Sequence, residues 1–200
     1  MSERKLNQLI QEIKSCTHCA EHLPFAPRPV LIANPEARIL LIGQAPGTKV
    51  HASGIPWDDP SGKRLRQWLQ LNDQDFYDPT QLAIMPMGFC YPGKGKSGDL
   101  PPRPECAPLW HKQVLQYLPN IQLTLLVGQY AQNYYLGKDK STLSQRVQNW
   151  FNNYKNKNSA QPIIPLPHPS PRNTLWLKKN SWFEEDCLKI LQMLVKKALI

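Results

Sequence analysis

The chain has 200 residues, enough for one ordinary domain that buries about 70% of its unfolded surface without disulfides. A formal net charge of +9 favours an anionic partner, nucleic acid above all; the alternative is a basic surface that serves solubility. No apolar run approaches the roughly 20 residues of a membrane span, and the polar start does not resemble a secretory signal. We therefore expect a cytoplasmic protein with no membrane attachment, whose cysteines are reduced or bound to a metal.

The spacing of apolar residues predicts helices and strands that alternate along the chain. In chain order, we predict a helix over 4–14, a strand over 38–43, a helix over 61–71, a strand over 82–87, a helix over 105–118, a strand over 123–128, helices over 129–137 and 143–151, a strand over 162–166 and a final helix over 182–200. The segments 20–37, 44–60 and 152–158 are predicted loops. Short apolar strands that alternate with helices are typical of a parallel sheet covered on both faces. We predict one α/β domain over 1–200, with the N-terminal helix and cysteine-bearing loop of 1–37 packed on it.

One candidate site is the loop that directly follows the first predicted strand. Residues 43–47 read Gly-Gln-Ala-Pro-Gly, and strand-end loops of this kind build ligand sites in open α/β sheets. Glycine permits a tight turn and a close approach by a ligand, so the backbone amides can point at an anion or a water. The alternative is a structural turn between a strand and a helix.

A second candidate site follows the last predicted strand. Residues 168–173 read His-Pro-Ser-Pro-Arg-Asn, and Pro169 restricts the freedom of the histidine beside it. A neutral imidazole at His168 can donate to a developing oxyanion. Ser170 and the amides after it can hold a phosphate, and Arg172 can contact a nucleic-acid backbone. The alternative is a capping histidine in a proline-rich loop.

The segment between these loops contains an indole and two carboxylates. Trp57 can stack on a base, although an indole next to a proline can also belong to the core. Asp58 and Asp59 can cap the helix that follows or position a water, and Ser61 is a further candidate for the N-cap. The pattern leaves these alternatives open.

Four cysteines have the spacing of a metal centre. Cys16 and Cys19 form a C-x-x-C pair, and Cys90 and Cys106 follow in the chain. Four thiolates can hold an iron–sulfur cluster or a tetrahedral zinc ion, and the alternatives are a redox-active pair or four unrelated thiols. Cys187 lies on the apolar stripe of the last helix, so we predict that it belongs to the core.

Taken together, these motifs resemble those of the uracil-DNA glycosylase superfamily. Residues 43–47 resemble the loop that frames the attacking water, and residues 54–57 resemble the segment whose aromatic ring stacks on a flipped base. Residues 168–170 resemble the second family motif, His-Pro-Ser. The longer loop 168–173 is closest to the single-strand-selective monofunctional branch, whereas the four cysteines match the iron–sulfur, thermophile-type branch.

The resemblance implies a fold, a reaction and a set of roles. The fold is a three-layer α/β/α domain with a four-stranded parallel sheet, and the reaction is removal of uracil or a related deaminated base from DNA after base flipping. The implied catalytic residues are His168, Gln44, Asp58 and Asp59, and the implied base-binding residues are Gly43, Ala45, Pro46, Gly47, Trp57 and Ser170. The implied DNA contacts are Ser61, Lys94, Lys96, Pro171, Arg172 and Asn173. The implied ligands of a [4Fe–4S] cluster are Cys16, Cys19, Cys90 and Cys106, with zinc or no metal as alternatives.

The same resemblance predicts a monomer that binds damaged single- or double-stranded DNA. Because neither motif contains a lysine, we expect a monofunctional hydrolase without a Schiff-base lyase step. We also expect His168 and Trp57, which are remote in sequence, to line one cavity wide enough for a pyrimidine.

The chain departs from the family pattern at three positions. Ala45 stands where the best-known branch has a water-activating aspartate, and Gln44 stands where the iron–sulfur branch has glutamate. Pro86 stands where the family often reads uracil with an asparagine, and proline has no side-chain donor or acceptor. These departures motivate one rival function, a non-catalytic DNA-binding iron–sulfur protein of the same fold. A second rival is a redox or metal-sensing module built on the C-x-x-C pair.

Overall fold

A four-stranded parallel sheet forms the centre of the computed structural model, which describes residues 2–96, 98–155 and 163–200. Its strands are β1 (Ile39–Ile42), β2 (Leu82–Ile84), β3 (Leu123–Val127) and β4 (Ile163–Leu166), in the spatial order β2-β1-β3-β4. In register, Leu41 pairs with Ile84 on one side and with Leu125 on the other. Because β2 and β3 lie on opposite sides of β1, the topological switch point falls between β1 and β3, where open sheets bind ligands.

Helices pack on both faces of this sheet. They are α1 (Ser2–Lys14), α2 (Thr48–Ser53), α3 (Pro60–Leu69), α4 (Asp73–Tyr77), α5 (Cys106–Leu115), α6 (Gln129–Tyr135), α7 (Leu143–Lys155), α8 (Thr174–Lys179) and α9 (Leu188–Ala198). A π-helical segment, Phe183–Cys187, leads into α9, and short 3₁₀ turns cover Ala20–His22 and Pro171–Asn173. An antiparallel hairpin pairs Lys94–Gly95 with Gly98–Asp99 and is called the 94–99 hairpin below. No helix in the described ranges is both long and apolar enough to cross a membrane.

The side chains of β1 alternate between two separate core layers. Ile39 and Leu41 pack with side chains of α3, α7 and α9, and Leu40 and Ile42 pack with side chains of α1, α5 and α6. All four are buried, and each such side chain contributes roughly 1.5–3 kcal/mol through the apolar area removed from water. The predicted three-layer α/β/α class and the four-stranded parallel sheet are confirmed. Cys187 is buried in the first of these layers, as predicted.

The predicted boundaries were wrong where long-range contacts decide them. Helix α2 lies inside the predicted loop 44–60, and the Arg28 guanidinium holds its end by donating to the carbonyls of His51 and Ala52, each at 2.6 Å. Helix α7 continues to Lys155, into the predicted loop 152–158, whose residues 156–158 lie outside the described residues. Residue 162 of the predicted fourth strand also lies outside them.

The sequence leaves Asp58, Asp59 and Ser61 as candidate N-caps of α3, and the structure selects Asp59. Its Oδ1 accepts the backbone N–H of Gly62 at 2.7 Å. Asp59 has an extended backbone and precedes Pro60, whose missing N–H and restricted φ suit the first turn of a helix. The cap therefore fixes the start of α3, directly beside Trp57.

Candidate active site

A cavity of about 450 Å³ opens at the carboxyl ends of the strands, next to the switch point. Its volume falls in the usual range for small-molecule sites. The loops after β1, β2 and β4 contribute its walls, together with α3 and the 94–99 hairpin. Of the residues predicted from sequence, it is lined by Gly43, Gln44, Ala45, Pro46, Gly47, Trp57, Asp59, Ser61, His168, Ser170, Arg172 and Asn173.

The rings of Trp57 and His168 meet in this cavity, as the sequence predicts. Their centroids are 5.6 Å apart and their planes are tilted by 36°. Trp57 lies in the segment between α2 and α3, and His168 lies in the loop after β4; both segments reach the carboxyl edge of the sheet. The two rings make a flat, partly apolar wall that suits a planar heterocycle.

Two glycines make room for Trp57, whose φ of 59° is the left-handed conformation that side chains rarely adopt. A Cβ on Gly43 would lie 2.7 Å from Cζ2 of the indole, and a Cβ on Gly62 would collide with the Trp57 carbonyl oxygen. Arg66 donates to that carbonyl at 3.3 Å and to the hydroxyl of Tyr77 at 3.1 Å. Packing and hydrogen bonds therefore hold the indole in a strained backbone position.

The loop that carries His168 is fixed by side chains on both sides. The Asn173 amide donates to the His168 carbonyl at 2.8 Å, and Arg64 of α3 donates to the Ser170 carbonyl at 3.0 Å. The Ser170 hydroxyl accepts the backbone N–H of Arg172 at 3.2 Å. Such a preorganised loop can hold an imidazole where charge develops without reorganising during the reaction.

The surroundings of His168 favour the neutral form of its imidazole. Burial lowers the pKa of its imidazole, and the negative charge of Asp59 opposes this shift. A neutral imidazole can donate one hydrogen bond to a ligand in the cavity. Asp59 can assist by orienting and polarising the ring, although one of its oxygens is occupied by the helix cap.

The other predicted catalytic residues lie in different surroundings. Asp58 is exposed and is not part of the cavity wall. The Gln44 side chain lines the cavity, but its amide donates to the Leu100 carbonyl at 3.3 Å. Backbone bonds from Met87 and Gly88 to the carbonyls of residues 43 and 44 hold the loop after β1 against the end of β2.

Of the predicted DNA-contacting residues, Ser61, Arg172 and Asn173 line the cavity, and the others lie on segments that contribute to its wall. Lys94 and Lys96 are exposed on the 94–99 hairpin, and Pro171 is exposed on the turn after the His168 loop. The Arg172 guanidinium lies against Gly98, where a side chain would collide with it. Ser61 is buried and lines the cavity.

Sequence reasoning missed two groups at the site, Asp99 and His111. Asp99 lines the cavity from the 94–99 hairpin, a polar segment whose sequence has the spacing of neither a helix nor a strand. His111 is buried under the cavity wall; its Nε2 donates to the Pro86 carbonyl at 3.1 Å, and its Nδ1 accepts from the Tyr135 hydroxyl at 2.7 Å. The apolar spacing of α5 placed His111 in a helix but gave no sign of these partners.

We expect His111 to make the fold less stable in acid. Burial lowers its pKa to about 4 from 6.5, despite the opposing hydrogen bond to the Pro86 carbonyl. As the pH falls, His111 is protonated in the unfolded chain before it is protonated in the folded protein. Its contribution to the free energy of unfolding is therefore fully present above pH 6.5 and is lost as the pH falls toward 4. Between pH 7 and pH 5 this amounts to about 2 kcal/mol, measured by urea unfolding.

His111→Gln is the matched control for this pH dependence. Glutamine can still donate and accept hydrogen bonds, but it does not titrate. Its unfolding free energy should therefore fall less between pH 7 and pH 5 than that of the wild type. Parallel pH profiles for the two proteins would contradict the assignment.

The four predicted cluster ligands line one small pocket away from the cavity. Cys16, Cys19, Cys90 and Cys106 share it with apolar side chains, and the backbone N–H of Phe89 lies 3.4 Å from Sγ of Cys106. Burial raises the pKa of Cys90 to about 11 and that of Cys106 to about 12, so both are thiols without a metal. In the described ranges, no group of three or more His, Cys, Asp or Glu side chains is arranged to hold a metal ion. Four thiols around one apolar pocket nevertheless supply the donor set of a Cys₄ cluster.

The fold and the cavity define an open-sheet α/β protein that places an indole and an imidazole in a ligand site at its switch point. The chain belongs to the uracil DNA glycosylase superfamily, whose family model matches residues 31–192. A type-4 uracil-DNA glycosylase from Sulfurisphaera tokodaii is 26% identical over 164 residues, which cover 80% of this chain and 72% of that protein.

Proposed function

We propose that this chain hydrolyses the N-glycosidic bond of uracil or a related deaminated base in DNA, as a monofunctional glycosylase. The observation that carries this proposal is the meeting of Trp57 and His168 in one cavity, with 5.6 Å between ring centroids. Membership of the superfamily and the similarity to a type-4 uracil-DNA glycosylase support it.

The cavity suits a base that has left the duplex. A stacked base is out of reach of the protein, so the target nucleotide rotates outward and its base enters the pocket. Trp57 stacks on the base, which offsets part of the cost of unstacking. When the glycosidic bond breaks, the base takes the bonding electron pair, and His168 donates a hydrogen bond to the base oxygen that gains this charge.

The wall beside β2 limits how the base is recognised. Pro86 lines the cavity without a side-chain donor or acceptor, and its carbonyl already accepts from His111. Recognition of uracil therefore depends on backbone groups and on the other walls. For this reason we propose uracil or a related deaminated base as the substrate class.

The charged rim would hold the phosphates beside the flipped nucleotide. Arg172 lines the cavity, Lys94 and Lys96 are exposed on the hairpin whose Asp99 lines it, and Pro171 and Asn173 are on the same loop as His168. Each phosphate neutralised by such a side chain releases counterions, so affinity should fall steeply as salt rises.

Base release from a panel of oligonucleotides tests the proposed function. The panel carries uracil, hypoxanthine, xanthine or a mismatched thymine, in single and double strands, and the product is detected by cleavage of the abasic site. We expect release of at least one deaminated base and no strand cleavage by the protein itself. Salt-dependent DNA binding without release of any of these bases would favour the non-catalytic DNA-binding alternative.

We also propose that Cys16, Cys19, Cys90 and Cys106 hold a [4Fe–4S] cluster. When bound, the cluster would join the segment after α1 to the segment after β2 and to the start of α5, because Cys16 and Cys19 follow α1, Cys90 follows β2 and Cys106 begins α5. Its role would be structural, since its pocket is separate from the cavity of Trp57 and His168.

Anaerobically purified protein should be brown and contain about four iron atoms per chain, which follows from the cluster type. Cys106→Ser should lose both the colour and the iron and unfold at a lower temperature. Cys187→Ser is the matched control because Cys187 lies in the core, outside the cysteine pocket. Colourless protein that contains one zinc ion per chain would contradict the iron–sulfur cluster and indicate a zinc site instead.

A further inference from the structure

The loop after β1 lacks a carboxylate, but a neighbouring segment brings one to it. Residues 43–47 read Gly-Gln-Ala-Pro-Gly and contain no acidic side chain, whereas Asp99 lines the same cavity from the 94–99 hairpin. Oδ2 of Asp99 would be 3.4 Å from a Cβ on Gly47, at the end of the loop. We propose that Asp99 is the catalytic residue that holds the attacking water and accepts its proton; this inference rests on the glycosylase function proposed above.

Hydrogen bonds and packing hold Asp99 in this place. It pairs with Lys94 across the hairpin, and the N–H of Leu100 donates to the Gly93 carbonyl at 2.8 Å. The Leu100 carbonyl accepts from the Gln44 amide at 3.3 Å, which ties the hairpin to the loop after β1. The role of Gln44 is thus to position the segment that carries the carboxylate.

The other candidates for this role are less well placed. One oxygen of Asp59 accepts from the N–H of Gly62 as the cap of α3, and Asp58 lies outside the cavity. Asp99 is exposed at the cavity rim, where a water from solvent can reach it and a bound DNA strand would cover it.

The charges around Asp99 suit a base. Partial desolvation of its carboxyl and the negative charge of Asp59 raise its pKa, whereas Arg172 and Lys94 lower it. An ionised carboxylate with a raised pKa is a stronger proton acceptor than an ordinary surface aspartate. These four residues are the charged groups that face one another across the hairpin and the cavity rim.

The chemical step balances with water as the other reactant. The bond between C1′ of the deoxyribose and the base nitrogen breaks, and its electron pair leaves with the base. The water oxygen forms a new bond to C1′, and a water proton passes to the Asp99 carboxylate. The base anion then takes up a proton, and Asp99 releases its proton to solvent. The products are an abasic deoxyribose and the free base.

The test compares Asp99→Asn and Asp99→Ala with Glu36→Gln, which neutralises an exposed carboxylate outside the cavity. We expect the single-turnover rate of base release to fall about 10²-fold or more in both Asp99 variants and to stay unchanged in Glu36→Gln. Affinity for DNA that carries a non-hydrolysable uracil nucleotide should stay the same or increase, because a negative charge has been removed. Added formate should restore part of the rate of Asp99→Ala.

Three outcomes would overturn the assignment. They are wild-type rates in Asp99→Asn, a rate loss matched by an equal loss of DNA affinity, and a rate loss in Asp99→Ala that formate does not restore. A wild-type protein that releases no base from any oligonucleotide of the panel would instead contradict the glycosylase function, and Asp99 with it. The activity of the wild type therefore distinguishes the two failures.

Discussion

His168→Ala should lower the single-turnover rate of base release by roughly 10²–10³-fold, while the affinity for DNA stays close to that of the wild type. The imidazole donates to the base only as charge develops, so its loss raises the barrier by about 3–4 kcal/mol and leaves the ground state nearly unchanged. The effect is large because the donor is fixed before the reaction by Asn173 and by the indole of Trp57.

The loop itself should survive this substitution. Its contacts from Asn173 and Arg64 go to the backbone carbonyls of residues 168 and 170, which alanine retains. His22→Ala is the matched control, because His22 is exposed and does not line the cavity. Equal rates for His168→Ala and the wild type would remove the imidazole from the mechanism, and a parallel loss of DNA affinity would make its role one of binding.

Local patterns in the sequence were enough to predict the central sheet. The strands are short and almost entirely apolar, with Thr124 as the one polar residue among them, because the sheet is covered on both faces. Once these strands are parallel, the loops after β1 and β4 must lie at the same edge of the sheet. Trp57, in the segment between α2 and α3 that continues the loop after β1, meets His168 at this edge.

Local sequence patterns did not predict the features that depend on contacts between distant segments. Helix α2 depends on Arg28, more than 20 residues earlier in the chain, which binds the carbonyls at its end. The 94–99 hairpin is rich in glycine and lysine and has only two residues in each strand, so nothing in its spacing indicates a strand or a site. The proximity of Asp99 to the loop that ends at Gly47 is a tertiary contact, which the sequence pattern does not predict.

Gly62→Ala should both destabilise the protein and impair the cavity. Its Cβ would collide with the Trp57 carbonyl oxygen and lie 2.6 Å from the carbonyl carbon, contacts with backbone atoms that no side-chain rotation relieves. Overpacking of this kind costs about 3 kcal/mol, which corresponds to a fall in melting temperature of roughly 6–12 °C for a chain of this size.

Gly62→Ala should also lower the rate of base release, because the surrounding contacts leave Trp57 no room to shift. Its ring already contacts Gly43 and lies against His168, and Arg66 holds its carbonyl. A shift of the residue 57 backbone would therefore turn the indole away from the base, and base release should fall along with stability. Lys63→Ala is the matched control, since Lys63 is the next residue of α3 and is exposed. A Gly62→Ala protein that keeps both the melting temperature and the rate of the wild type would show that the strained turn at Trp57 does not shape the site.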